Sequence, residues 1–105
     1  MKKFNVKIDP EALIDIQEAT NWYSEQQPEL GERFQSTTVK QIDSLGRDPH
    51  IYAVRYKEIR CMIVEKFPFM VHFYINEPES SVEVLAVINT GRNPRVWLQK
   101  TRSKG

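Results

Sequence analysis

At 105 residues the chain has room for one domain around a single core, which excludes a multidomain enzyme. Hydrophobic residues make up 40% and charged residues 28%, with four Gly and six Pro, a balance that excludes a disordered or collagen-like chain. The net charge of +1 hides an uneven distribution, because residues 1–50 carry six Lys or Arg against nine Asp or Glu, whereas residues 51–105 carry nine against five. One cysteine, Cys61, allows no internal disulfide, and two histidines 22 positions apart offer no metal-ligand spacing. No apolar run approaches the roughly 20 residues of a membrane span, and the N-terminus has no signal-peptide pattern, so a cytoplasmic protein is expected.

In chain order, Phe4, Val6 and Ile8 alternate with polar residues, the period of a half-buried strand. Asp9-Pro10-Glu11 then supplies a helix N-cap, a first-turn proline and an acid at the positive end of the helix dipole. Ala12, Ile16, Ala19 and Tyr23 recur at helical spacing and predict a helix over about 10–26, with Asp15, Glu18 and Glu25 on its wet face. Pro28 interrupts it and opens a second helix, in which Leu30, Phe34, Thr38, Ile42 and Leu45 form the apolar stripe up to Gly46. The two form an antiparallel hairpin.

From there the period becomes two. Strands are predicted over 53–57, 59–66, 69–76 and 82–89, and the breaks between the last three are too short for parallel crossovers. The expected fold is α+β, with the order β-αα-ββββ and the helix hairpin packed on one face of a twisted antiparallel sheet. The domain should span residues 1–105, with a basic tail from about residue 99.

The sheet's second face is expected to be partly open. Arg55, Lys57, Arg60, His72 and Tyr74, with Met62 and Met70 among them and Arg92 overlooking, would make a surface for an anionic or acidic partner. The same cations also suit an ordinary sheet edge, where Lys and Arg discourage pairing with other chains. His72 is the candidate general acid or base, or else a half-buried polar residue with a hydrogen-bond partner; His50 is a weaker candidate. Cys61 reads as a small buried hydrophobe or as a thiol beside Arg60. Trp22 and Tyr23 should pack. Residues 90–105 hold Arg92, Arg95, Lys100, Arg102 and Lys104 with no acid, and Trp97 among them either docks on the domain or awaits a partner. The polar remainder from Gln99 onward is expected to be little ordered. No Gly-rich phosphate loop or paired-carboxylate site is visible, and neither metal nor cofactor is expected.

Several strings together resemble the RelE/ParE toxin superfamily: Asn21-Trp22-Tyr23, the run from Gln27 to Phe34, Asp48-Pro49-His50-Ile51-Tyr52, Ile59-Arg60, Phe67-Pro68-Phe69, and Val84-Leu85-Ala86-Val87 leading to Arg92-Asn93-Pro94 and Trp97. The resemblance covers residues 4–97 and is nearest to the ParE-like branch, often labelled plasmid stabilisation proteins. It implies the toxin of a type II toxin–antitoxin pair, neutralised by a small antitoxin encoded beside it, as a homodimer or as a heterotetramer with that antitoxin. ParE-type members bind and poison DNA gyrase; RelE-type members cleave mRNA on the ribosome without metal. In the second case Arg60 and Arg92 would supply charge, and His72 or Tyr74 the proton transfer. Many relatives carry a histidine followed by paired arginines where this chain has Asn89-Thr90-Gly91-Arg92. The missing histidine favours binding over cleavage. It also leaves room for a non-toxic homologue that still binds an antitoxin.

For the binding reading, the expected contact residues are Arg55, Lys57, Arg60, Met70, Tyr74, Arg92 and Trp97.

Overall fold

The computed structural model describes residues 3–101. Strand β1 (Asn5–Ile8) leads into the helices α1 (Pro10–Gln26) and α2 (Pro28–Ser44), followed by a 3₁₀ turn at Pro49–Ile51. Strands β2 (Val54–Tyr56), β3 (Ile59–Ile63), β4 (Phe69–Asn76) and β5 (Ser81–Asn89) come next, and a third helix, α3 (Pro94–Thr101), closes the described chain. The sheet order is β1-β5-β4-β3-β2. Neighbours among β2 to β5 are antiparallel as expected, while β1 joins the edge of β5 in parallel, from Asn5 opposite Ser81 to Ile8 opposite Val84. The sheet is therefore mixed. Among the described residues no helix is long and apolar enough to cross a membrane.

The hairpin forms where the prolines place it. Gln27 is extended, as the residue before a proline must be, and its carbonyl accepts the Leu30 N–H at 2.9 Å to start α2. The helices then cross tightly at Gly31, where a Cβ would stand 1.8 Å from Ser24 Oγ and 2.8 Å from the Thr20 carbonyl oxygen. Ala12, Ile16 and Ala19 of α1, Phe34 and Ile42 of α2, and Leu45 just past its end bury against Met62, Val71, Phe73, Val84 and Val87. Tyr23 stacks among Phe34, Phe67 and Phe69, with ring centroids 5.3, 5.1 and 6.2 Å away.

Three boundaries differ from the sequence reading. Helix α2 stops at Ser44 without a left-handed glycine, since Gly46 has no positive φ. Strand β3 ends at Ile63, three residues short of the expected Lys66; Val64 N–H still donates to the Phe69 carbonyl at 2.8 Å, and on the opposite side of the chain Gln41 of α2 donates through Nε2 to the Ile63 carbonyl at 2.9 Å and accepts the Glu65 N–H on Oε1 at 2.7 Å. The largest difference is α3, which occupies chain expected to be an irregular tail. Its start carries a legible signal, because Asn93 Oδ1 accepts the Arg95 N–H at 2.9 Å and Pro94 takes the first helical position. Gln99, Lys100 and Thr101 are thus helical, and Thr101 is buried. Arg102 and Lys104 lie outside the described residues.

Candidate functional site

Helix α3 lies on the sheet face opposite the hairpin, and this changes the expected open surface. Cys61, His72 and Ala86 lie abreast on β3, β4 and β5. Trp97 covers His72 with ring centroids 5.1 Å apart and leaves the histidine wholly inaccessible. Met70 is also buried on this face, and Met62 belongs to the hairpin core. These three residues are therefore interior and not a docking surface.

The cations separate as well. Arg60 lies opposite Phe73, on the hairpin side, and its Nη1 donates to the Tyr52 carbonyl at 2.6 Å. Lys57 has left the strand into a left-handed turn, with φ of 49°. Arg55 alone of the three reaches the α3 side, its guanidinium 6.0 Å from the centroid of the Trp97 ring. The register shift between Val54 and Tyr56 lets Arg55 and Tyr56 both serve that side, which strict alternation forbids. Tyr74 is half-buried, opposite Ile59 and Glu83. Arg92 is exposed in the turn after β5.

That turn is built by Asn89. Its side-chain oxygen accepts the Gly91 N–H at 2.8 Å, and its carbonyl accepts the Arg92 N–H at 3.1 Å. Asn89 thus acts as a backbone template for the turn that carries the exposed Arg92.

The groups under Trp97 form a neutral cluster. Tyr56 Oη shares a hydrogen bond with His72 Nδ1 at 2.8 Å and another with Thr101 Oγ1 at 3.2 Å, while Cys61 Sγ lies 3.4 Å from His72 Nδ1. Burial, with the Arg55 charge second, pulls the His72 imidazole down to about 4. Burial likewise pushes the Tyr56 phenol up to about 12, although its bond to Thr101 opposes the shift. The Cys61 thiol is pushed up to about 11 by burial, with Arg55 opposing. With these shifts none of the three is charged at neutral pH, and the histidine ring has no surface open to solvent. Among the described residues no group of His, Cys, Asp or Glu is arranged to hold a metal ion.

What remains exposed is a cationic, aromatic rim. Tyr56, Asn93, Pro94, Arg95, Trp97 and Leu98 line a shallow cavity of about 310 Å³. Arg55 and Arg95 stand exposed on this side, whereas Arg92 is exposed beside Asp15, Glu18 and Lys100, next to α1. Tyr56 and Leu98 escaped the sequence reading, since a tyrosine in a three-residue strand and a leucine after a tryptophan carry no signal by themselves.

Asp15 corrects a second expectation. Assigned by periodicity to the wet face of α1, it is 8% exposed. Its Oδ2 accepts the Val87 N–H at 2.9 Å, beyond the end of β1 where β5 has no strand partner, and its Oδ1 accepts from Lys100 Nζ of α3 at 2.5 Å. One carboxylate thus joins α1, β5 and α3. Trp22, expected to pack, is 58% exposed and touches Tyr23 edge-on.

A sequence profile described as the ParE toxin of type II toxin-antitoxin system, parDE, matches residues 6–94. The chain belongs to the ParE toxin family. No curated protein sequence matches it. Among solved structures it is similar to a chain of the chromosomal ParDE toxin–antitoxin system of P. aeruginosa, at 19% identity and TM-score 0.73 over 83% of this chain and 96% of that one. A free-state double mutant of the E. coli toxin RelE gives TM-score 0.72 at 14% identity over 100% of both chains. The intact E. coli RelBE toxin–antitoxin complex contains a chain with TM-score 0.64 at 13% identity, covering 85% of this chain and 99% of that one. The ParE and RelE structures share this fold, and the ParE-family assignment fits both the helix hairpin and the five-stranded sheet.

Proposed function

We propose that this ParE-family toxin acts in the cytoplasm by binding DNA gyrase and does not cleave RNA. The observation that carries the reading is the burial of His72. The side chain best suited to acid–base work near neutral pH is sealed beneath Trp97 and held neutral, so no charge relay reaches the exposed rim. The rim offers fixed cations and apolar side chains, which recognise an acidic protein surface without proton transfer. A small antitoxin encoded by the neighbouring reading frame is the second partner, in keeping with the toxin–antitoxin complexes whose toxins share the fold. Induction in growing cells tests the reading. Growth arrest with DNA damage supports gyrase poisoning; cuts within codons of translated transcripts would establish the RelE-like alternative; and undisturbed growth would mark a non-toxic homologue.

A further inference from the structure

The hollow between β2 and α3 owes its character to where its two aromatic residues send their polar atoms. Thr101 Oγ1 donates to the Trp97 carbonyl at 2.7 Å, which uses its one proton. The Tyr56 hydroxyl therefore donates to Thr101 Oγ1 at 3.2 Å and accepts from His72 Nδ1–H at 2.8 Å, so it is engaged on the inner side. Trp97 Nε1 is also buried, with no hydrogen-bond partner among the described residues. What the two residues present to the hollow is ring carbon, with centroids 5.5 Å apart and planes 36° off parallel. Pro94 and Leu98, the latter 45% exposed, extend the apolar wall. Its 310 Å³ lies at the lower end of the range of specific ligand sites, roughly 300–1,000 Å³.

We propose that this hollow seats one large apolar side chain of the gyrase surface, with an aspartate or glutamate beside it meeting Arg95 and Arg55. The inference rests on the gyrase reading and deepens it by naming the anchor and its chemistry. Arg95 lines the hollow, Arg55 lies 6.0 Å from the centroid of the Trp97 ring, no acid is in the lining, and neither arginine makes an ion pair among the described residues. Charge complementarity thus selects an acidic neighbour for the anchor, and a guanidinium presents a carboxylate with paired donors. The hydrogen-bonded chain from His72 through Tyr56 and Thr101 to the Trp97 backbone holds the walls in place before binding, so little side-chain freedom is lost when the anchor enters. A nucleic acid fits less well. Its backbone calls for a track of cations and its base edges for open donors and acceptors, whereas the polar atoms of both rings are turned inward and Asn93 Oδ1 is taken by the Arg95 N–H.

The test measures the affinity of the full chain for purified gyrase without DNA, at low and moderate salt. Leu98→Ser is expected to weaken binding about 10-fold at both salt concentrations, because it removes apolar wall and no charge. The double variant Arg55→Gln with Arg95→Gln is expected to weaken it about 10-fold at low salt and less at moderate salt. Val39→Ser, an exposed apolar position on α2, is expected to bind as the unaltered chain does. Unaltered affinity in both Leu98→Ser and the double arginine variant overturns the hollow while leaving the gyrase reading intact. Failure of gyrase to bind the unaltered chain overturns both. Binding of a single-stranded oligonucleotide that Leu98→Ser abolishes gives the hollow to nucleic acid, and self-association of the chain that Leu98→Ser abolishes gives it to a second copy; either result also overturns the assignment.

Discussion

His72 shows how far a residue's chemistry depends on what covers it. Its position on β4 and its unperturbed titration range mark it as an acid–base candidate, but only the placement of Trp97 decides its state. Strand alternation correctly set it on the face away from the hairpin. It could not show that this face is covered, because the cover comes from residues far along the chain. The buried imidazole has a measurable consequence. Its folded-state pKa of about 4 lies below the unfolded value of about 6.5, so the unfolded chain binds more protons between those values and stability falls as pH drops through that window. The expected loss between pH 7.5 and pH 5 is about 2 kcal/mol by proton linkage, seen in urea unfolding midpoints, and His72→Phe should remove that component. An equal pH slope in both proteins would show that the histidine is not held neutral.

At the scale of elements, local chain signals placed the hairpin and the central strands well. The Asp9-Pro10 and Gln27-Pro28 boundaries, together with period-two alternation over β4, sufficed because each acts through near neighbours. Asp15 was misread because its polarity points outward by periodicity, whereas its function is to satisfy a strand N–H that becomes lone only in the assembled sheet. Helix α3 was missed although Asn93-Pro94 repeats the cap-and-proline pattern of α1; basic composition masked the signal. Its tether should be measurable. Lys100→Met leaves the buried Asp15 carboxylate without its cation and is expected to cost about 1–3 kcal/mol in urea unfolding. Gly31→Ala should cost a similar amount, about 1–3 kcal/mol. Ser24 can rotate away from the new methyl group, but the Thr20 carbonyl belongs to the backbone and the helices must separate. Unchanged unfolding in Gly31→Ala would mean that the crossing is looser than its geometry indicates.

For the molecule as a whole, fold and family were legible from scattered strings, each weak alone and informative in order, whereas the working surface was not. Cations that looked clustered on one face are divided by the β2 bulge, the turn at Lys57 and the inward side of β3, leaving Arg55 and Arg95 at the aromatic rim and Arg92 beside α1. In the proposed reading this surface binds the target, while the cluster beneath it is buried under Trp97. Supercoiling by purified gyrase in the presence of the purified chain is the most direct measurement, with His72→Phe and Arg92→Ala beside the unaltered protein. The account predicts inhibition by the unaltered chain and by folded His72→Phe, and weaker inhibition by Arg92→Ala. Undisturbed supercoiling, with ribosome-dependent mRNA cleavage that disappears in His72→Phe, would contradict it.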